Sequence, residues 1–343
     1  MDIKEMLFDL CSCTGVSGYE EPAAEVAKKY LEKFGEILTD SNGNLFAVLG
    51  NKEAEKTILL DAHLDRIGFI VTDINENGFV KVDKCGGIDV RTLLDSELVL
   101  CNNPEITGVV CCMPPHLSDG KEDKAVSMDK IWVDFALPKD KIKEYINIGD
   151  CLTFKTSPKL LLNNRICSAA LDDRCAVVAL IKVAEILSNE KSLDYKVVIM
   201  FSAQEETFGT GAKTGAFAFD VDEAIAVDVS FASQPDVSGV YSNVELDKGP
   251  MICISPILNK EMSNKFIDIA KEKNMPYQLE PISGATGTNA DHITVTKSGV
   301  KTSVISIPQR YMHTPNEIVS LVDIENTAKL ISEYIICGGA FNG

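Results

Sequence analysis

Two adjacent carboxylates, Glu205 and Glu206, follow the apolar run 197–201 in KVVIMFSAQEE. Side by side they repel each other unless a cation lies close or one of them keeps its proton. A metal ion, with the second acid moving protons, accounts for the pair economically; a solvated pair opening a loop is the competing reading. The stretch LLDAHLD adds His63 and Asp65. Side chains alternate along a strand, so these two share a face. A metal-binding histidine usually donates its other ring proton to a carboxylate, which casts His63 as ligand and Asp65 as the acid that orients it. A core histidine paired with an acid fits the same two residues. Asp172 in LDDR, Asp228 in AIAVDVS and His313 in RYMHTPNE stand where elements begin or end. An aspartate at a helix start is ordinarily only a cap, so their joint recurrence carries the argument.

Charge counting favours two ions over one. Asp172, Glu206 and Asp228 bring three negative charges, two divalent cations four positive, and a bridging hydroxide one more negative. A neutral sum suits a partly buried site better than unpaired acids do. Imidazole and carboxylate ligands suit zinc, and also cobalt or manganese. Two ions ~3.5–4 Å apart hold a hydroxide nucleophile between them and polarise a carbonyl, which leaves Glu205 as general base and acid.

These groups need a scaffold that brings them to one edge. The run 197–201 reads as a strand buried on both faces, so the paired glutamates emerge at its carboxyl end, where open α/β sheets keep their chemistry. The run 57–60 leads in the same way into Asp61-Ala62-His63. Helical spacing on either side of the Gly15 to Gly18 break predicts two helices in the first ~35 residues. A long apolar helix is expected over 172–189, a second buried strand over 223–229, and amphipathic helices over 262–273 and 323–336 around a strand at 302–307. Between 68 and 161 the texture changes to short alternating segments spaced by turns, among them FIVTDI, GFVKVDKC, SELVLC and DCLTFK. That pattern predicts a small all-β barrel or sandwich inserted into an α/β domain whose sheet is mixed and mostly parallel. The division expected is a catalytic domain of residues 1–67 with 162–343, and an insert of residues 68–161.

Composition narrows the class. A net charge of −18 over 343 residues offers no basic stripe for nucleic acid or an anionic membrane. No apolar run reaches the ~20 residues of a membrane span, and MDIKEMLFDLCSC lacks the charged start and apolar stretch of a signal peptide. Eleven dispersed cysteines without a CxxC pair read as reduced, packed thiols of a cytoplasmic protein. Cys11 with Cys13 and Cys111 with Cys112 have no partner cluster for a metal. The stretch GTGAKT has Ala212 where a phosphate loop needs glycine. His116 is read as structural; so is His292, which alternatively reaches the pocket. No nucleophile elbow supports a Ser-His-Asp triad.

The motifs DAHLDRIGF, AALDDR, SAQEETFGTGA, AIAVDVS, GTNA and RYMHTPNE, in that order, resemble the di-metal aminopeptidases of the glutamyl aminopeptidase and tetrahedral aminopeptidase group, some of which carry the label endoglucanase M. The likeness extends to TGVSGYE, GNLFAVLG, GGIDVRTLL and PPHL, and so covers nearly the whole chain. It implies a zinc-peptidase-like three-layer α/β core with an inserted β domain. It implies a first ion at His63 and Asp228, a second at Glu206 and His313, Asp172 bridging them, Glu205 as catalytic base and Asp65 orienting His63. It further implies removal of amino-terminal residues from peptides with a free amino terminus, and self-association through the insert into tetrahedral dodecamers. An N-acyl amino acid deacylase or dipeptidase on the same site is the enzymatic alternative; a non-catalytic assembly protein that keeps its metals is the other. Glycosidases place two acids ~5–9.5 Å apart across a sugar bond, which adjacent Glu205 and Glu206 do not describe, and Trp132 is the only tryptophan. Three positions depart from the family pattern: Arg66 where glutamate is usual, Thr210 where arginine is common, and Asn289 for the aspartate of GTDA. Arg66 is read as a salt-bridge partner, with a more positive pocket favouring acidic substrates as the alternative.

Overall fold

The computed structural model describes residues 1–113, 115–117, 126–190, 193–235 and 237–340; the first proline of the PPHL motif, at 114, lies outside them. Helices Ile3–Cys11 and Glu21–Leu31 lead into strands β1 (Glu36–Thr39), β2 (Leu45–Gly50) and β3 (Thr57–His63). Six strands follow: β4 (Gly68–Ile74), β5 (Val80–Cys85), β6 (Glu97–Leu100), β7 (Asn103–Val110), β8 (Trp132–Asp134) and β9 (Cys151–Phe154). They close into an antiparallel barrel in the order β4-β5-β8-β7-β6-β9. Alternation puts Phe69, Val71, Val80, Val82 and Leu98 in the barrel core, with Phe154 edge-on to Phe69. Closure, which leaves no open sheet edge, settles the sequence pattern as a barrel rather than a sandwich.

The chain then returns to the large sheet through β10 (Lys159–Leu161) and β11 (Arg165–Ser168), followed by helix Leu171–Leu187, β12 (Lys196–Ser202), helix Thr210–Ala218 and β13 (Glu223–Phe231). The remaining strands are β14 (Met251–Ile254), β15 (Gln278–Pro281), β16 (Lys301–Arg310) and β17 (Glu317–Ser320), and helix Leu321–Ile336 closes the fold. Lys159–Leu161, grouped with the insert in the sequence, pairs antiparallel with β11 in the large sheet. The 11-stranded sheet runs β1-β2-β12-β3-β13-β16-β17-β11-β10, with β14 and β15 attached beside β16. Its centre, β12-β3-β13-β16, is parallel and its flanks are antiparallel.

Helices cover both faces, which makes three layers. Leu171–Leu187 lies on one face and is buried almost all round, as a helix apolar on every side must be. It packs with Ile3–Cys11, Glu21–Leu31 and Leu321–Ile336 in the larger core. Helix Thr210–Ala218 covers the other face through Ala212 and Ala216, against Met200 and Val198. Arg174, fully buried on the long helix, donates from Nη1 to the carbonyls of Leu10 and Cys13 and from Nη2 to that of Thr14. A helix end needs such partners for its last carbonyls; this one ties the amino-terminal segment to the helix that carries Asp172.

Candidate metal centre

Parallel pairing sets the stage. Ser202 lies opposite His63, and Ala226 opposite Asp61, so β12, β3 and β13 deliver Glu205, His63 and Asp228 to one sheet edge. Asp172 arrives from the next layer. The expected long helix does not begin regularly at it: Asp172 (φ −75°, ψ 106°) and Asp173 lie outside helical geometry, which leaves both carboxylates free to turn toward β3 and β13. His313 follows β16, and its backbone N–H donates to Glu317 Oε1 at 3.0 Å.

Asp172 splits its two oxygens between two histidines. Its Oδ1 is 3.0 Å from His63 Nε2, and its Oδ2 is 3.3 Å from His313 Nε2. Beyond His63 lie Glu205 Oε2 at 3.8 Å and Asp228 Oδ1 at 4.0 Å; beyond His313 lies Glu206 Oε2 at 3.5 Å. The donor sets His63/Asp172/Glu206 and His63/Asp173/Asp228 each fall within 4.8 Å. Five of the residues singled out in the sequence as ligands, and Glu205, therefore meet in one place.

Asp65 sits at the hinge of this arrangement. His63 Nδ1 is 3.1 Å from the Asp65 carbonyl oxygen and 3.4 Å from its carboxylate Oδ1. The same carboxylate accepts the backbone N–H groups of Glu205 at 3.0 Å and Glu206 at 3.1 Å, and the Ser17 hydroxyl at 2.6 Å. It thus fixes the histidine and the turn bearing both glutamates together. Two further organisers escape a reading of the sequence. Asp173, fully buried, accepts the His63 N–H at 3.2 Å on Oδ2, while its Oδ1 has no hydrogen-bond partner. Glu317 accepts the N–H groups of Leu171, Asp172 and His313. The signal for Asp173 is its adjacency to Asp172, and an acid at a helix start reads first as a cap. Glu317 stands within the RYMHTPNE motif, with no residue type beside it to suggest that it gathers two distant loops.

The donor chemistry fits divalent cations. Burial, reinforced by Asp172, pushes the Glu206 carboxyl well above its ordinary range; burial does the same to Asp228 and Asp173. Glu205 rises to about 7, through burial first, with Asp172 and Asp65 adding to it and His63 opposing. Burial works to lower His313, but its bond to Asp172 and the charge of Glu206 lift it to about 10. A cation at this low-dielectric edge would offset the cost of gathering so many acids. An unshared Asp173 oxygen beside His63 and Asp228 has the same remedy.

The three departures lie elsewhere. Arg66 is buried, takes part in no salt bridge among the described residues, and leaves Nε and Nη2 without hydrogen-bond partners. Burial and the neighbouring Arg174 push it down to about 10. It does not line the pocket over the donors, so neither expectation for Arg66 is met. Asn289 is buried and donates to Asp61 Oδ2 and Ser202 Oγ, both at 2.8 Å. Thr210 opens a helix outside the pocket. His292 packs against Gly209, where an added Cβ would come 2.0 Å from its ring, and does not reach the pocket. His116 is exposed. The eleven cysteines are free; most are buried or half-buried, while Cys112 and Cys337 are exposed rather than packed.

Comparison with known proteins converges on one family. The sequence model described as M42 glutamyl aminopeptidase matches residues 43–330. The lysyl aminopeptidase of Pyrococcus furiosus is 32% identical over 336 residues, 95% of this chain and 94% of that protein. An aminopeptidase of the archaeon Desulfurococcus kamchatkensis superposes with a TM-score of 0.91 at 31% identity, covering 98% and 95% of the two chains. The TET1 peptidase of Pyrococcus horikoshii, which can assemble into a tetrahedron or a large octahedral shell, superposes at 0.86 with 30% identity over 97% and 99%. The motifs quoted from the sequence, the three-layer sheet with its barrel and the match along most of the chain agree: this protein belongs to the M42 glutamyl aminopeptidase family of peptide hydrolases.

Proposed function

We propose that the chain is a di-metal aminopeptidase in which His63 and Asp228 hold one cation, Glu206 and His313 the other, and Asp172 both. The observation that carries this reading is the division of the Asp172 oxygens between the two histidines. Asp173, beside His63 and Asp228, is a further candidate for the first position. When bound, two divalent ions would polarise the scissile carbonyl and acidify a water molecule; the donor set suits zinc first, with cobalt or manganese as alternatives.

The protein's own groups do the rest. Glu205 accepts a proton from the attacking water at its carboxylate and returns it to the leaving amine. Asp65 holds both the His63 ring and the backbone of Glu205, so ligand and base keep a fixed separation. The eleven unpaired thiols fit a reducing compartment such as the cytoplasm, and no helix among the described residues is long and apolar enough to cross a membrane.

Amino-acid p-nitroanilides and their N-acetylated counterparts, tested after reconstitution of apo protein with zinc, cobalt or manganese, check this reading. Turnover confined to free-amine substrates is expected. Cleavage of the acetylated set would instead indicate a deacylase, and silence on both a non-catalytic protein.

A further inference from the structure

The family name and the name of the Pyrococcus furiosus relative point to opposite substrate charges, glutamyl and lysyl, so membership leaves the side-chain preference open. The pocket over the donors carries information of its own. Its lining includes Ser230, Phe231, Tyr241 and Glu280. Glu280 lies on β15 and is 2% exposed. One carboxylate oxygen accepts the Ser230 hydroxyl, and the other accepts the Ser306 hydroxyl at 2.7 Å. No lysine, arginine or histidine forms a salt bridge with it among the described residues. A buried carboxylate served only by two neutral hydroxyls still lacks a counter-charge.

Register fixes where that carboxylate stands. Asp228 and Ser230 are two apart on β13, so they share a face and are separated by ~7 Å. Ser306 on β16 lies directly opposite Asp228. Glu280, bonded to both serines, therefore stands beside Asp228 on the same face, between its level and that of Ser230. Phe231 and Tyr241, edge to face at 5.3 Å between centroids, line the same pocket. Aromatic faces receive an aliphatic stem and also attract a cation.

From this juxtaposition we propose that Glu280 is the specificity-determining residue of the pocket and selects peptides whose first residue is lysine or arginine. The four-carbon stem of lysine packs on Phe231 and Tyr241, and its ammonium supplies the counter-charge that the two serine hydroxyls do not. Glutamate in the same place would face Glu280 as a like charge; leucine would bring that carboxylate no counter-charge. The inference rests on the aminopeptidase reading above, and its test separates the two.

Wild-type and Glu280→Gln protein are assayed on Lys-, Arg-, Leu- and Glu-p-nitroanilide, and wild type is also inhibited with lysinamide and leucinamide. Expected are a kcat/KM for the basic anilides at least tenfold above that for leucine, with glutamate poorest. In Glu280→Gln the lysine-to-leucine ratio falls at least tenfold, chiefly through KM for lysine. Lysinamide competes more strongly than leucinamide in wild type, a comparison that needs no variant to fold. Cleavage that favours leucine or glutamate, or an unchanged ratio in the variant, overturns the selector role and leaves the aminopeptidase intact. Silence on every free-amine anilide overturns both.

Discussion

Asn289 shows how one atom's difference controls a buried site. Its amide donates to Asp61, whose carboxyl burial holds up at about 6. An unfolded aspartate titrates near ~4, so Asp61 binds its proton more tightly folded than unfolded. The resulting penalty on folding is absent below about pH 4 and grows as pH rises through 6. In Asn289→Asp two carboxyls would share that space, one of them forced to keep a proton. The variant should lose about 2 kcal/mol more stability than wild type between pH 5 and pH 8, read from urea unfolding at both values; parallel losses would contradict the pairing. Among single residues, the sequence is informative where residue types are unusual together. His63, Asp172, Glu205, Glu206, Asp228 and His313 can be named because acids and histidines recur at strand and helix ends. Asp173 and Glu317 cannot be assigned that way, since their importance lies in backbone N–H groups from distant segments that no local pattern reveals. Arg66 misleads for the same reason: a charge beside Asp65 in sequence turns away into the interior.

Among the elements, the barrel contributes Gly87, in the turn after β5, to the pocket over the donors. An added Cβ at Gly87 would come 2.7 Å from His313 Nδ1, and one at Gly86, where φ is +89°, would come 3.1 Å from Glu206 Oε2. Only glycine lets this backbone pass so close to two proposed ligands. Gly87→Ala should therefore displace the His313 ring and reduce metal affinity at the second position by at least about tenfold, measured by competition with a chelator. Unchanged affinity would show that the ring has space to retreat. Central strands and most helices are legible because buried parallel strands read as continuous apolar runs and the outer helices as amphipathic ones. The closure of the barrel is not, since it depends on how β4 pairs with β9, a register between segments far apart. Nor is the irregular start of helix Leu171–Leu187, because the local sequence LDDR looks like an ordinary acidic cap.

For the whole molecule, we propose that the discontinuous domain formed by residues 1–67 and 159–343 performs the chemistry while the barrel insert, residues 68–158, mediates self-association. The tetrahedral and octahedral assembly of the TET1 peptidase, a relative that matches nearly the full chain, motivates this. Sedimentation of purified protein should give a mass many times that of the 37.3 kDa chain; a monomer at micromolar concentration would refute it. Assembly is implied only by resemblance, since neither composition nor periodicity marks which exposed surfaces pair. The chemistry itself is tested most directly on full-length Glu205→Gln, by measuring bound metal and turnover on the same sample. Two metal equivalents per chain are expected, as in wild type, with kcat lowered at least about a hundredfold. Loss of one equivalent would make Glu205 a ligand, and retained turnover would remove it from the reaction.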